Sequence, residues 1–385
     1  MSRTSYRSIT VLLLGVFFVV GCGGASETGD APAELEFSQP TDVPNEADGT
    51  IVGVRIYETE RELSGLFAEW HSLGVNTVFA SEELTSSGGF RALARKNDTD
   101  LFIVFPVFFA PKELAEAPDL WAVTADGERA KEDWVEFVCP SRADFRNRRV
   151  EEARAVVKRL RPDGLSIDFI RHFVFWEMVG PERDPATLPD TCYCVHCVQG
   201  FATFLGVPAF SIPPHPQRAA AWIEANAADQ WVRFKTATIT SMAAEIAEAA
   251  REIDPEILIN LHIVPWRRDD FDGALARVAG QDPAGLSGIA NYLSPMAYSD
   301  TLECPPEWVG SVVADLDRIA ECPVLPNIRV SQNGRNGVVS SGSEFEAALR
   351  AALEPPSAGV VFRSWEDVEA DPERAEIIRR VILDL

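Results

Sequence analysis

From Ile51 onward, short and nearly unbroken apolar runs alternate with longer stretches in which apolar residues return every three or four positions. Eight such runs can be counted: IVGVRIY (51–57), NTVFA (76–80), LFIVFPVFF (101–109), GLSIDFI (164–170), EILINLHIV (256–264), ANYLSPMAY (290–298), PVLPNIRV (323–330) and GVVFRSW (359–365). Apolar runs without strict alternation suit strands covered on both faces, as in a parallel sheet. The stretches between them carry the helical period. Val150, Ala153, Val157 and Leu160 follow a Ser141/Asp144 pair that reads as a capping box. Trp231, Phe234, Thr238, Met242, Ile246, Ala249 and Ile253 mark one face of a long helix, and Trp308, Val312, Leu316 and Ile319 mark another behind Pro305-Pro306 at a helix start. Eight strand-then-helix units predict an α/β fold of the (β/α)8 TIM-barrel type. The competing open, doubly wound sheet is weakened because no GxGxxG turn follows the first run.

One connection departs from this rhythm. Between the fourth run and its helix, residues 171–221 are rich in proline, aromatics and cysteine, and Trp176, Phe201, Phe204 and Phe210 argue against disorder. The segment reads as a cysteine-containing insert after strand 4, on the C-terminal rim where barrel active sites lie. The third connection, 110–140, brings Trp121 and Trp134 to the same rim.

Ahead of the barrel, Arg3 and Arg7 precede an apolar run from Val11 to Val20 that ends in Gly21-Cys22. That order of charge, short apolar run, small residue and cysteine predicts a lipoprotein signal peptide over 1–21, with Cys22 as the lipidated residue. Residues 22–49, poor in large apolar side chains, read as a flexible tether, leaving 50–385 for the barrel. The expected location is the cell envelope, with the chain held to a bacterial membrane by its lipid and facing outside the cytoplasm. The formal net charge is −24, and loss of Arg3 and Arg7 takes it to −26. Such a surface repels nucleic acid and anionic headgroups and suits neutral or cationic ligands. With 46% hydrophobic residues, the body can bury a substantial core.

In a barrel, side chains at the strand C-termini converge on one mouth. The candidates there are Arg55 and Glu58, Glu82 and Glu83, Asp168, Arg171 and His172, His262, Asp269 and Asp270, Tyr298 and Asp300, Asn327 and Arg329, and Arg363 with Glu366. Several carboxylates around one rim are what glycoside cleavage requires: one protonates the leaving oxygen, while another attacks or activates water. Asp168 is the sharpest, because its charge is flanked by Ile167 and Phe169, where it is costly without partners. A structural aspartate paired to Arg55 or Arg171 is the competing reading. Glu366 and Glu58 are the expected second carboxylate; Glu366 also fits a first helical turn, favoured there by the dipole. Glu58, Asp300 and Glu177 read equally as solvated rim residues, and His172 and His262 as hydrogen-bonded supports. Arg171, His172, Trp176, Tyr298, Asp300 and Trp365 are the expected substrate contacts. The rim tryptophans Trp121, Trp134, Trp176, Trp266 and Trp365 are of the kind that stack on sugar rings or simply pack rim loops.

The segments WVEFVCPSRADFR, PDGLSIDFIRH, NYLSPMAYSD and GVVFRSWED, in barrel order over about 51–370, resemble the hypothetical glycoside hydrolases of the glycosyl-hydrolase-like group, TIM barrels with family 10-like and family 6-like members. The CYCVHC run followed by Phe201 resembles a cysteine-bearing loop after strand 4 in some of them. The resemblance implies a (β/α)8 fold and carbohydrate substrates, with Asp168 as the strand-4 acidic residue. A more distant likeness is to family 18 chitinase-type barrels and their DGxDxDxE pattern: Asp163, Gly164 and Asp168 match, Ser166 replaces the middle aspartate, and Ile170 stands at the glutamate position. Isoleucine donates no proton, so chitinase chemistry through this motif is not expected.

Six cysteines follow Cys22. Cys192, Cys194 and Cys197 form C-x-C-x2-C, with Cys139 on the neighbouring rim loop. Exported proteins usually place such cysteines in disulfides, and four clustered donors can instead hold a structural zinc. No other cofactor is expected. Cys304 and Cys322 bracket a helix that separates them by roughly 27 Å at 1.5 Å per residue, too far for a bond. Two functional readings follow: a hydrolase of extracytoplasmic poly- or oligosaccharide working through Asp168, and a non-catalytic carbohydrate-binding or cell-envelope lipoprotein on the same barrel.

Overall fold

The computed structural model describes residues 49–86, 89–331 and 340–384. The expected signal peptide, Cys22 and nearly all of the tether lie outside the described residues. Among the described residues, no helix is long and apolar enough to cross a membrane.

Eight strands form a single parallel sheet: β1 (Ile51–Ile56), β2 (Thr77–Ser81), β3 (Asp100–Pro106), β4 (Gly164–Asp168), β5 (Leu258–Ile263), β6 (Tyr292–Pro295), β7 (Asn327–Arg329) and β8 (Gly359–Arg363). Hydrogen-bonded neighbours run β6-β5-β4-β3-β2-β1-β8-β7. Parallel bridges between Leu293 and Val324 and between Met296 and Asn327 bring β6 against β7. The sheet thereby wraps into the (β/α)8 barrel that the alternating runs predict, each strand falling within a few residues of its run. The β8–β1 seam is tight. Gly359, with φ +143°, lies opposite Ile51, and a Cβ there would stand 2.0 Å from the Ile51 carbonyl oxygen.

The two faces of each strand do different work. Outward residues such as Val54, Val78, Ile103, Leu165 and Ile259 pack under the helices and are fully or almost fully buried. Inward, one end of the barrel is filled by Ile51, Phe79, Phe102, Val104, Tyr292, Leu325 and Val361, with the Phe79 and Phe102 rings stacked at 4.9 Å. Above this plug the β4–β7 half of the lumen turns polar. Asn260 Nδ2 donates to Ser166 Oγ at 2.9 Å, and Asn327 Nδ2 donates to Ser294 Oγ at 3.1 Å.

Two local expectations need correction. The helix before β4 runs Ala143–Leu160 with Arg142 as its N-cap, and Ser141 and Asp144 form no capping box. Asp144 instead accepts from the Arg142 guanidinium, and Ser141 Oγ lies 3.2 Å from Cys197 Sγ. A nearby arginine and a thiol outcompete the backbone amides for these side chains. The insert also ends sooner than residue 221. It holds two short 3-10 turns, the helix Val195–Phe204 and a third 3-10 turn, and the long helix already starts at Pro216. That helix, Pro216–Arg251, buries Trp231, Phe234, Met242, Ile246 and Ala249 as the spacing predicts, with a break in helical geometry at Ala227.

Candidate active site

Asp168 is the last residue of β4, only 4% exposed, and it faces inward on the same side as Ser166. Immediately after it, Phe169 adopts φ +50°, the left-handed region that bulky residues avoid. Backbone strain of this kind persists where surrounding structure enforces it, and it clusters at functional sites. Here it turns the Phe169 N–H onto Asp168 Oδ1 at 2.7 Å. From across the barrel, Arg55 of β1 donates to Asp168 Oδ2 at 2.8 Å, and also to the Tyr57 hydroxyl. Burial alone would push the Asp168 carboxyl up. The charges of His262 and Arg55, with the two hydrogen bonds, overcome that and hold it well below the usual carboxylate range. Burial pushes His262 down to about 4, so it is neutral at neutral pH and Arg55 is the standing counter-charge. His262 Nε2 lies 2.9 Å from Ser166 Oγ.

Above Asp168 a narrow cleft of about 50 Å³ is lined by Arg55, Tyr57, Trp134, Arg171, Trp176, Glu177, Tyr298 and Arg363 among others. Glu177 reaches it from the 3-10 turn Trp176–Met178 in the insert. Burial raises its carboxyl above the ordinary value, Arg363, Arg171 and Arg329 pull the other way, and Asp168 adds to the rise. The two carboxyls in this mouth are thus displaced in opposite directions. A larger cleft of about 690 Å³, with Ser81, Glu82, Glu83, Lys112 and Arg149 in its walls, shares Tyr57, Asp168 and Phe169 with the first. Asp168 therefore stands where two clefts meet. A third groove of about 670 Å³, between Trp266, Phe271 and Trp308, includes neither Asp168 nor Glu177.

The structure sorts the expected residues. Arg171, Trp176 and Tyr298 line the mouth cleft with Asp168. Trp176 is 2% exposed and packs against Tyr298 at 5.3 Å, so its ring is closed to a sugar. The open aromatic face belongs to Trp134, 48% exposed on the turn of the hairpin Lys131–Glu136 beside Phe109 and Phe175. Trp365 is buried away from the mouth, edge-on to Trp70 at 5.8 Å. Glu58 is exposed, Glu366 occupies the first turn of the helix Trp365–Ala370, and neither lines the mouth cleft. Asp300 lies 3.8 Å from Arg329 and outside that cleft, burial pushing its carboxyl up. His172 is buried, and its backbone N–H donates to Ala279 O; it too stands outside the cleft. Tyr57 is a mouth residue that sequence reasoning passes over. Its signal was the two-residue strand period, which puts positions 55 and 57 on one face.

Beside this rim, the Sγ atoms of Cys139, Cys192, Cys194 and Cys197 all lie within 4.8 Å of one another. No disulfide joins them, and Cys304 and Cys322 are free as well. Cys139 Sγ stands 3.3 Å from Cys194 Sγ and 3.4 Å from Cys197 Sγ, and the Val123 N–H donates to Cys192 Sγ. These separations are too long for a disulfide of about 2.05 Å. They suit the edges of a tetrahedron of thiolates around one ion, given Zn–S bonds of about 2.3 Å. Hydrogen bonds from Cys139, Cys192 and Cys197 pull the Cys194 thiol down, while the Cys139 and Cys197 thiols are pushed up. Four thiols this close cannot all ionise without a cation among them.

No protein-family profile and no curated protein matches the sequence. Solved structures do match the fold. The glycoside hydrolase domain of PgaB (BpsB) from Bordetella bronchiseptica superposes with a TM-score of 0.63 at 14% identity, over 86% of this chain and 98% of that one. The β-galactosidase of the Antarctic haloarchaeon Halorubrum lacusprofundi gives 0.61 at 15% identity, over 87% of this chain and 58% of that one. That of Bacillus circulans gives 0.62 at 12%, over 87% and 57%. The chain thus spans nearly all of the first and somewhat over half of the two galactosidases. At such identities the likeness establishes a shared barrel architecture and nothing finer.

Proposed function

We propose that the protein is a glycoside hydrolase that cleaves an O-glycosidic bond at the barrel mouth, with Asp168 as the ionised carboxylate and Glu177 as the protonated one. The observation that carries this reading is the pair of carboxyls lining one cleft, one held below and the other above its ordinary range. Environments that push two titratable groups apart assign the acid and the base. Glu177 delivers its proton to the leaving oxygen. Asp168, oriented by Arg55 and the Phe169 N–H, attacks the anomeric carbon or takes a proton from water. Trp134 offers the exposed ring on which a sugar stacks. In this reading Glu177 takes the role that sequence reasoning gives to Glu366 or Glu58.

The anchoring expected from Cys22 completes the proposal: an exported lipoprotein of the cell envelope acting on poly- or oligosaccharide outside the cytoplasm. The four clustered cysteines would hold a structural zinc, which would cross-link the insert that carries Glu177 to the neighbouring rim loop. One observation favours a second reading, a carbohydrate-binding barrel without turnover: Trp176 and Tyr298 narrow the mouth cleft to about 50 Å³. A glycan-panel hydrolysis assay separates the two, run on wild type, Asp168→Asn and Glu177→Gln side by side. Cleavage by wild type that falls at least a hundredfold in both variants is expected. Cleavage that survives either substitution undiminished removes that residue from the mechanism, and binding without cleavage across the panel favours the second reading.

A further inference from the structure

The mouth cleft contains three guanidinium groups, and only one of them has a carboxylate partner at contact distance. Arg55 is matched by Asp168 at 2.8 Å. Arg171 is 3% exposed, yet its one hydrogen bond is a long 3.4 Å contact to the Val174 carbonyl, and its Nε has no acceptor. It also lies over the faces of Phe137 and Phe169, at 4.9 and 5.0 Å, while the Asp168 and Glu177 carboxyls favour its charge from beyond contact distance. Arg363, at the end of β8, makes no side-chain hydrogen bond or ion pair among the described residues and sits 5.6 Å from the Tyr298 ring. Among the described residues Glu177 forms no ion pair with either, although both guanidiniums pull its carboxyl down and its charge favours theirs. Burial brings the Arg171 pKa down to about 10, which still leaves it charged at neutral pH.

A buried guanidinium without a counter-ion is costly, and a chain of net charge −24 has no need of cations for solubility. The buried Arg171 and the half-buried Arg363, converging on the same small cleft, therefore ask for an anion from outside. A guanidinium fork matches a carboxylate or sulfate through paired N–H donors. We infer that the mouth takes a sugar bearing an oxyanion, as a uronate carboxylate or a sulfate ester, with Arg171 and Arg363 as its receptor. This rests on the reading of the mouth as a sugar site and narrows it. It also departs from the neutral or cationic ligands that net charge alone suggests, because the mouth and the outer surface carry opposite signs.

The test is calorimetric titration of wild type, Arg171→Met, Arg363→Met and Arg363→Lys. The probes are uronate oligosaccharides, sulfated galactan oligosaccharides, and their neutral counterparts made by methyl esterification or desulfation. At least one anionic probe is expected to bind tenfold or more tighter than its neutral counterpart. The methionine variants should lose that preference because their affinity for the anionic probe falls tenfold or more, well beyond any change in affinity for its neutral counterpart; Arg363→Lys should keep part of it. Whether carboxylate or sulfate is preferred names the source of the charge. Circular dichroism checks folding, and Arg363→Met, at a half-buried position, carries the test if Arg171→Met does not fold. Equal binding of charged and neutral probes, or a preference that survives both methionine substitutions, overturns the inference. Cleavage of neutral glycans without any preference for charge sinks this inference and spares the hydrolase reading. Charge-selective binding without cleavage of the bound sugars does the reverse.

Discussion

Replacing Asp168 by asparagine removes one charge from a pair whose side chains are 2% and 6% exposed and 2.8 Å apart. Losing one member of a buried pair typically costs about 3–5 kcal/mol, because the other is left uncompensated. Asparagine still offers an oxygen to the Phe169 N–H, so the lower end, about 3 kcal/mol, is expected. With an unfolding entropy of about 2.1 cal/mol/K per residue over the barrel body, that corresponds to roughly a 4 °C fall in Tm. Urea and thermal unfolding followed by circular dichroism read both quantities. The double variant Asp168→Asn/Arg55→Met removes the orphaned guanidinium and should be less destabilised than the two single losses combined, by about 2 kcal/mol. The pH dependence carries a sign as well. The folded carboxyl titrates below its unfolded value, so its contribution is fully present above about pH 4–5 and is lost as pH falls through the folded value. The gap between wild type and Asp168→Asn should therefore narrow on acidification. A single variant within about 0.5 kcal/mol of wild type, or strictly additive losses in the double, would refute the argument that Arg55 and Asp168 stabilise each other.

The same opposed displacements shape catalysis. Activity should fall on the acid side as Asp168 gains its proton and on the alkaline side as Glu177 loses its own, the alkaline fall lying above the ordinary glutamate range; an alkaline limb unchanged in the residual activity of Glu177→Gln would exclude that residue. The cysteine cluster should bring one zinc per chain through purification, read by atomic absorption, and Cys194→Ser or strong chelation should lower Tm by several degrees; metal-free protein of full stability would count against the ion. At the β8–β1 seam, Gly359→Ala forces a Cβ against the Ile51 carbonyl oxygen at a backbone angle that favours glycine, and a loss of about 3 kcal/mol or more is expected in urea unfolding. A midpoint equal to wild type would mean the seam is looser than described.

The strand order and most strand limits were legible because a barrel strand buries both faces, and the eight apolar runs announce that directly. Asp168 was legible for a related reason: a charge amid Ile167 and Phe169 must have a partner, and it has Arg55. What failed was competition between local partners. Ser141 and Asp144 have the spacing of a cap, but Cys197 and Arg142 engage them instead, and only the folded chain brings residue 197 there. The ends of strands tell which residues reach the rim and not which rim residues turn inward. Glu58 and Glu366 reach the rim and stay outside the mouth cleft, whereas Glu177 is carried in by a 3-10 turn of the insert that no apolar period marks. Among the tryptophans, exposure at the tip of a hairpin singles out Trp134, and hairpin geometry was invisible in the run of residues around it.

Sugar chemistry between Asp168 and Glu177 is open to a direct test by crystallography. Glu177→Gln, soaked with an oligosaccharide that the wild type cleaves, should show the scissile oxygen within about 3 Å of the residue 177 side chain and the anomeric carbon facing Asp168. The spacing of the two carboxyl positions would then give the stereochemistry, about 5 Å for retention and about 6.5–9.5 Å for inversion. A sugar seated instead in the groove between Trp266 and Trp308, with the mouth empty, would contradict it.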